Sequence, residues 1–229
     1  MKLSSRHVLC FVLITGLCGP VSVGAQNASA ATMNRIPIQG YNELAKMISD
    51  PAMSVTDKRY AVARLGELSK DLAAHKEIPA SGLYNPILGV LTPQKNVEGH
   101  HVLREEACNV LALFARIDGS GSLVQPLGRV LKNGDEHVDV RVAAARSLGR
   151  FQNQSGQAVE TLLDALNAEI KAGPNQNNIR MAGATITSLG YLGDKKAFVP
   201  LMRVLNSSFP SGTKRQAQAA LESLNWKNQ

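Results

Sequence analysis

One seven-residue pattern recurs along this chain and limits what it can fold into. It reads NPILGVL at Asn85 to Leu91, QPLGRVL at Gln125 to Leu131 and VPLMRVL at Val199 to Leu205, with a degenerate copy, ETLLDAL, at Glu160 to Leu166. Pro86, Pro126, Thr161 and Pro200 stand 40, 35 and 39 residues apart. A unit of that length holds two helices and their turns. Alone, such a pair leaves an apolar face in water, so the units must stack and share one continuous core.

A second column runs between these copies. Arg59, Arg104, Arg141, Arg180 and Arg215 each precede, by four places, a small residue: Ala63, Cys108, Ala145, Ala184 and Ala219. Leu68, Leu113, Leu189 and Leu224 follow nine places on; the third unit departs and uses Leu148 and Phe151. Leu103, Ala107, Val110, Leu111 and Phe114 form one helical stripe, with Glu105 and Glu106 in the first turn, where the dipole favours acids. In the other helix Leu127, Val130 and Leu131 face inward. The prolines sit near its start, where a missing amide costs little.

This predicts first helices over Thr56–Leu72, Val102–Arg116, Val138–Phe151, Asn178–Leu192 and Thr213–Leu224. Second helices are predicted over Gly82–Leu91, Ser122–Leu131, Gln157–Glu169 and Lys195–Leu205, with a small helix near Tyr41 to Ile48. The expected fold is all-α, a right-handed alpha-alpha superhelical solenoid over 41–229 with about four pairs and capping half-repeats. Aromatics at 4% suit thin helices packed closely. The last half-repeat, polar outside at Lys214, Gln216, Gln218 and Glu222, is expected to cap the array, with Trp226 folded onto it.

The stretch Ser188 to Leu205, SLGYLGDKKAFVPLMRVL, resembles the HEAT-repeat family, particularly short bacterial repeats similar to those of bilin-lyase-like proteins. Leu189, Gly190, Leu192, Gly193, Asp194, Val199, Pro200 and Leu201 carry the likeness, and RVAAARSLGRF at Arg141 to Phe151 is similar to the family's first helix. The resemblance spans about Lys58 to Leu224. It implies an armadillo-like stack that binds protein, and no shared catalytic residue to carry over.

Residues 1–25 read as a secretory signal peptide: Lys2 and Arg6, an apolar run from Val8 to Cys18, then small residues before a cut after Ala25, or alternatively after Ala30. The segment 26–40 is then a flexible N-terminal stretch, and the protein is expected to be periplasmic or secreted. Cys10 and Cys18 leave with the leader, so Cys108 has no internal disulfide partner. The remaining chain carries 23 basic against 18 acidic residues, scattered, with no run that would indicate nucleic acid.

Motifs of catalysis are missing: there is no HExxH, no GxSxG and no P-loop. His100 and His101 beside Glu98 are expected to be a solvated turn rather than a metal site, and no cofactor is expected. The arginine column is expected to be a structural ladder, Arg59, Arg104, Arg141, Arg180 and Arg215, paired with turn residues such as Asp57, Asp139 and Asn178. The resemblance puts the second helices on the concave side. Candidate partner-binding residues are then Arg129, Lys132, Asp164, Asn167, Arg203 and Asn206, on a non-catalytic scaffold or adaptor outside the cytoplasm. The alternatives are a structural subunit of a larger envelope complex, or a small-molecule-binding or lyase-like protein.

Overall fold

The computed structural model describes residues 30–93, 98–119 and 121–224, and among them every regular element is helical. The elements are α1 (Ala30–Met33), α2 (Tyr41–Ser49), α3 (Val55–Leu68), α4 (Ala80–Val90), α5 (His100–Leu111), α6 (Val124–Lys132), α7 (Val138–Leu148), α8 (Ser155–Ala172), α9 (Gln176–Leu192), α10 (Phe198–Leu205) and α11 (Ser211–Glu222), with short 3-10 turns between. Three of the described helices, α3, α7 and α9, start where a side chain holds a free amide. Ser54 accepts from the Asp57 amide and Asn175 from that of Asn178. Pro79 and Pro210 occupy the same cap position before α4 and α11. Gly193, at φ +67°, ends α9 in the left-handed conformation that favours glycine.

The chain is an α-solenoid in which α2, α4, α6, α8 and α10 form one layer and α3, α5, α7, α9 and α11 the other. Each second helix from α4 onward packs more closely on the first helix that follows it than on the one before. The described helices from α2 on are therefore five pairs, α2/α3 to α10/α11. This corrects the expectation of about four pairs with half-repeats at each end: the small helix at Tyr41 is the first partner of α3. Residues 30–40 are corrected too. Met33 and Ile38 are buried, and Arg64 donates from Nε and Nη2 to the Ile36 carbonyl at 3.2 and 2.9 Å. The proposed leader 1–25 and Trp226 lie outside the described residues.

The two layers differ in spacing. First helices pack closely on one another, α3 on α5, α5 on α7, α7 on α9 and α9 on α11, whereas the second helices are splayed. Small residues allow the approach. A Cβ on Gly149 would stand 2.9 Å from the Ser188 Cα, and one on Gly190 would stand 3.2 Å from the Ala220 Cα. The same closeness lets Ser147 donate to the Cys108 carbonyl at 2.6 Å, Ser188 to that of Ala145 at 2.8 Å and Ser223 to that of Gly190 at 3.0 Å. In a stack of helix pairs the layer with the shorter spacing is the inside of the bend, so this array curves toward its first helices. The small column is buried at Cys108, Ala145 and Ala184, half-buried at Ala63 and exposed at Ala219, since no described helix stacks beyond α11.

Candidate functional site

The inward face is read along the first helices toward their C-terminal ends. There α5 runs into a 3-10 turn at Ala112–Phe114, α7 stops at Gly149 and α9 stops at Gly193. Between them lies a groove of about 880 Å³ whose lining includes Leu113, Arg116, Arg146, Arg150, Asn153 and Tyr191. Leu113 is 50% and Tyr191 61% exposed, although both are large and apolar-bodied. The Arg150 guanidinium stands 5.7 Å from the centroid of the Tyr191 ring, within cation-π range.

Arg116, Arg146 and Arg150 are all exposed, and no acidic side chain lines the groove. Among the described residues none of the three forms a salt bridge. Arg146 lies in the last turn of α7, where the helix dipole already favours a cation, and its fork still reaches solvent. The groove thus combines apolar area with uncompensated positive charge, the composition of a surface that binds an acidic or mixed protein segment.

The residues expected to line the concave side are elsewhere. Arg129, Lys132, Asp164, Asn167, Arg203 and Asn206 are exposed on α6, α8 and α10 or just after it, in the splayed outer layer. Lys132 and Asp164 satisfy each other at 2.7 Å, and Asn206 donates to the Met202 carbonyl of its own helix at 3.1 Å. Arg129 borders a smaller cleft of about 420 Å³ between α4 and α6, with Glu136 in the same lining. The face is corrected from the second helices to the first.

The arginine column takes partners that sequence spacing did not identify. Arg104 holds Glu136 in a bidentate pair at 3.0 and 2.6 Å, with both residues buried. Arg141 reaches Glu169 at 3.1 Å and donates to the Leu131 carbonyl at 3.0 Å. Arg59 lies 3.6 Å from Glu106, while Arg180 pairs with Asp139. Arg215 is exposed. Asp57 and Asn178 are occupied instead within their own helix starts: Asp57 accepts from the Ser54 hydroxyl at 2.7 Å and Asn178 donates to the Gly173 carbonyl at 2.7 Å.

His100 is likewise not in a solvated turn. It is buried, with Nδ1 2.6 Å from an Arg104 Nη. Burial, then the cations Arg104 and Lys58, push its pKa down, while Glu136 opposes. His101 stacks on His137 at 4.3 Å. Cys108 is fully buried and its thiol is pushed up to about 12, chiefly by burial, which leaves it protonated and unreactive.

The sequence held one visible signal for the groove. Nine places after the column arginine, where other units carry a buried leucine, the second and third units put Leu113 and Arg150, and both open into the groove. Leu111 and Leu148, two places earlier, fill the core instead. A family model described as HEAT repeats matches residues 124–222, from the first residue of α6 to the last of α11. No curated protein matches the chain.

Proposed function

We propose that the chain, whose residues 124–222 match HEAT repeats, is a HEAT-repeat protein that acts as a non-catalytic scaffold and holds a partner protein in the groove across α5, α7 and α9. The observation that carries this reading is the pairing of exposed Leu113 and Tyr191 with three arginines in one concavity that no acid neutralises. Large apolar-bodied side chains exposed within one concavity, beside cations without an acidic partner, have the composition of an interaction surface. The basic, apolar and small-residue order of residues 1–25 supports export, and the scaffold is proposed to act in the periplasm or outside the cell.

The test is photocrosslinking in cells that express the full chain. A photoreactive residue at Leu113 or Tyr191 is expected to give one discrete adduct in the exported fraction, and at Asn167 on the outer layer none. Equal adducts from all three positions, or none from any, would remove the groove as the partner site. A second reading, a subunit held in an envelope assembly by its edge, draws on Phe198, Val199 and Met202, which are exposed together on α10. That reading is favoured if the adduct forms at Val199 alone.

A further inference from the structure

Resting on the groove as the partner site, we propose that its ligand is an extended acidic segment of the partner, with one apolar side chain seated against Leu113. The lining supplies three guanidinium groups and no carboxylate, so charge complementarity selects an anion. Guanidinium forks match carboxylates in a two-point contact. The apolar bodies of Leu113 and Tyr191 belong to the same lining, and a ligand made only of charge would leave them wet. That favours a peptide over a polyphosphate or a nucleic acid, which would ask for a continuous basic track rather than arginines interleaved with Leu113 and Asn153.

Length follows from the layer. Adjacent helix axes lie about 8–10 Å apart, so the path from α5 over α7 to α9 is roughly 20 Å. An extended chain rises about 3.3 Å per residue, so roughly six residues span it. Arg116 and Arg146 then meet carboxylates near one end and in the middle. Arg150, held over the Tyr191 ring, meets one near the other end. These side chains are exposed and separate from the core stripe, so the binding surface can be altered without unfolding the array.

The experiment is a fluorescence-anisotropy titration of the purified chain at physiological salt with three labelled decapeptides. The first has Asp and Glu around one central Leu, the second replaces each acid by its amide, and the third replaces the Leu by Ala. The acidic Leu peptide is expected to bind at least about tenfold more tightly than the amide peptide, the ratio that 1.4 kcal/mol gives. Arg146→Ala with Arg150→Ala should erase that difference, Arg146→Lys with Arg150→Lys should keep most of it, and Leu113→Ala should weaken only the Leu peptide. All variants should melt with the parent protein.

Equal binding of acidic and amide peptides, or unchanged affinity in the alanine pair, overturns the proposal. Tighter binding of polyphosphate or a single-stranded oligonucleotide than of the acidic peptide also overturns it. If crosslinks still form at Leu113 and Tyr191 while the acidic peptide fails, the groove takes a partner of other chemistry and this inference falls alone. If the crosslinks fail as well, the scaffold reading falls with it.

Discussion

The two layers of this solenoid spend similar apolar residues on different ends. The second helices carry the plain amphipathic stripe, Leu127, Val130 and Leu131 in α6 and Leu201 and Val204 in α10, and they stand apart from one another. The first helices give up side-chain volume to glycine, alanine and serine. They gain close backbone approach, hydroxyl-to-carbonyl bonds between helices and a buried ion pair. The outer layer is held mainly by hydrophobic burial: the Lys132–Asp164 pair lies at its exposed face, and Glu169 of α8 is the buried acid it turns toward Arg141 of the inner layer. The inner layer is fixed by specific contacts, and it presents the groove. A rigid surface that binds a partner loses less ordering entropy on binding, so the layer with the more exacting packing is the better place for a site.

The sharpest way to break this comparison is to cut one ion pair in each layer. Glu136→Ala leaves Arg104 buried without its carboxylate, and removing one partner of a buried pair costs about 3–5 kcal/mol. Asp164→Ala frees Lys132 on the exposed face and should cost at most about 1 kcal/mol. Urea melts of the two variants measure both. A cost below about 1 kcal/mol for Glu136→Ala would mean that the inner layer is no more specified than the outer one.

The same cluster should give the protein a pH dependence in the histidine range. Arg104 donates to His100 Nδ1, so a proton on that nitrogen would face a cation. Lys58 adds to the repulsion and Glu136 opposes it, and burial is the largest cause of the lowered pKa. A lowered pKa means that the unfolded chain binds the proton more readily. The stabilisation is complete above the ordinary histidine value of 6.5 and is lost as pH falls through the lower folded value. Glu169 runs the other way in a lower window. Burial raises its pKa against Arg141, so its contribution is complete below 4.5 and lost as pH rises through the raised folded value. Melting temperature should therefore fall as pH is lowered below 6.5, and His100→Gln should flatten that slope. An equal slope in the variant would assign it to other groups.

Much of this was legible in the chain itself. The period, the helix types and the buried place of Cys108 all follow from apolar spacing, which is local. What was not legible depends on how close two helices come. The serines at Ser147, Ser188 and Ser223 look like ordinary polar residues until the neighbouring helix brings a carbonyl within 3.0 Å. The direction of the bend follows from the same spacing, so the face expected to be concave at Arg129 and Arg203 is the outer one. The ladder partners were misread because Asp57 and Asn178 have nearer bonds within their own helix starts. Met33, Ile36 and Ile38 are too few and too irregular to announce a packed segment, and their burial is decided by α3.

The finest test of the two layers uses one glycine from each. Gly149, at the end of α7, has ordinary right-handed backbone angles, so a side chain there is opposed by neighbours and not by conformation. Its Cβ would fall 2.8 Å from the Ser188 Cβ and 2.9 Å from the Ser188 backbone, which cannot swing away. Gly149→Ala should therefore push α7 from α9 and cost about 1–3 kcal/mol, as overpacking does. It should also lengthen the Ser188 bond to the Ala145 carbonyl. Gly89, in the last turn of α4, is exposed and would meet nothing within 4 Å. There alanine removes only the excess freedom of the unfolded chain, and Gly89→Ala should stabilise by about 0.5–1 kcal/mol. Thermal melts of both variants, one moving down and the other slightly up, would establish that the inner layer is limited by contact and the outer by propensity. Equal shifts in the same direction would show that the layers are packed alike, and the inward bend would lose its physical basis.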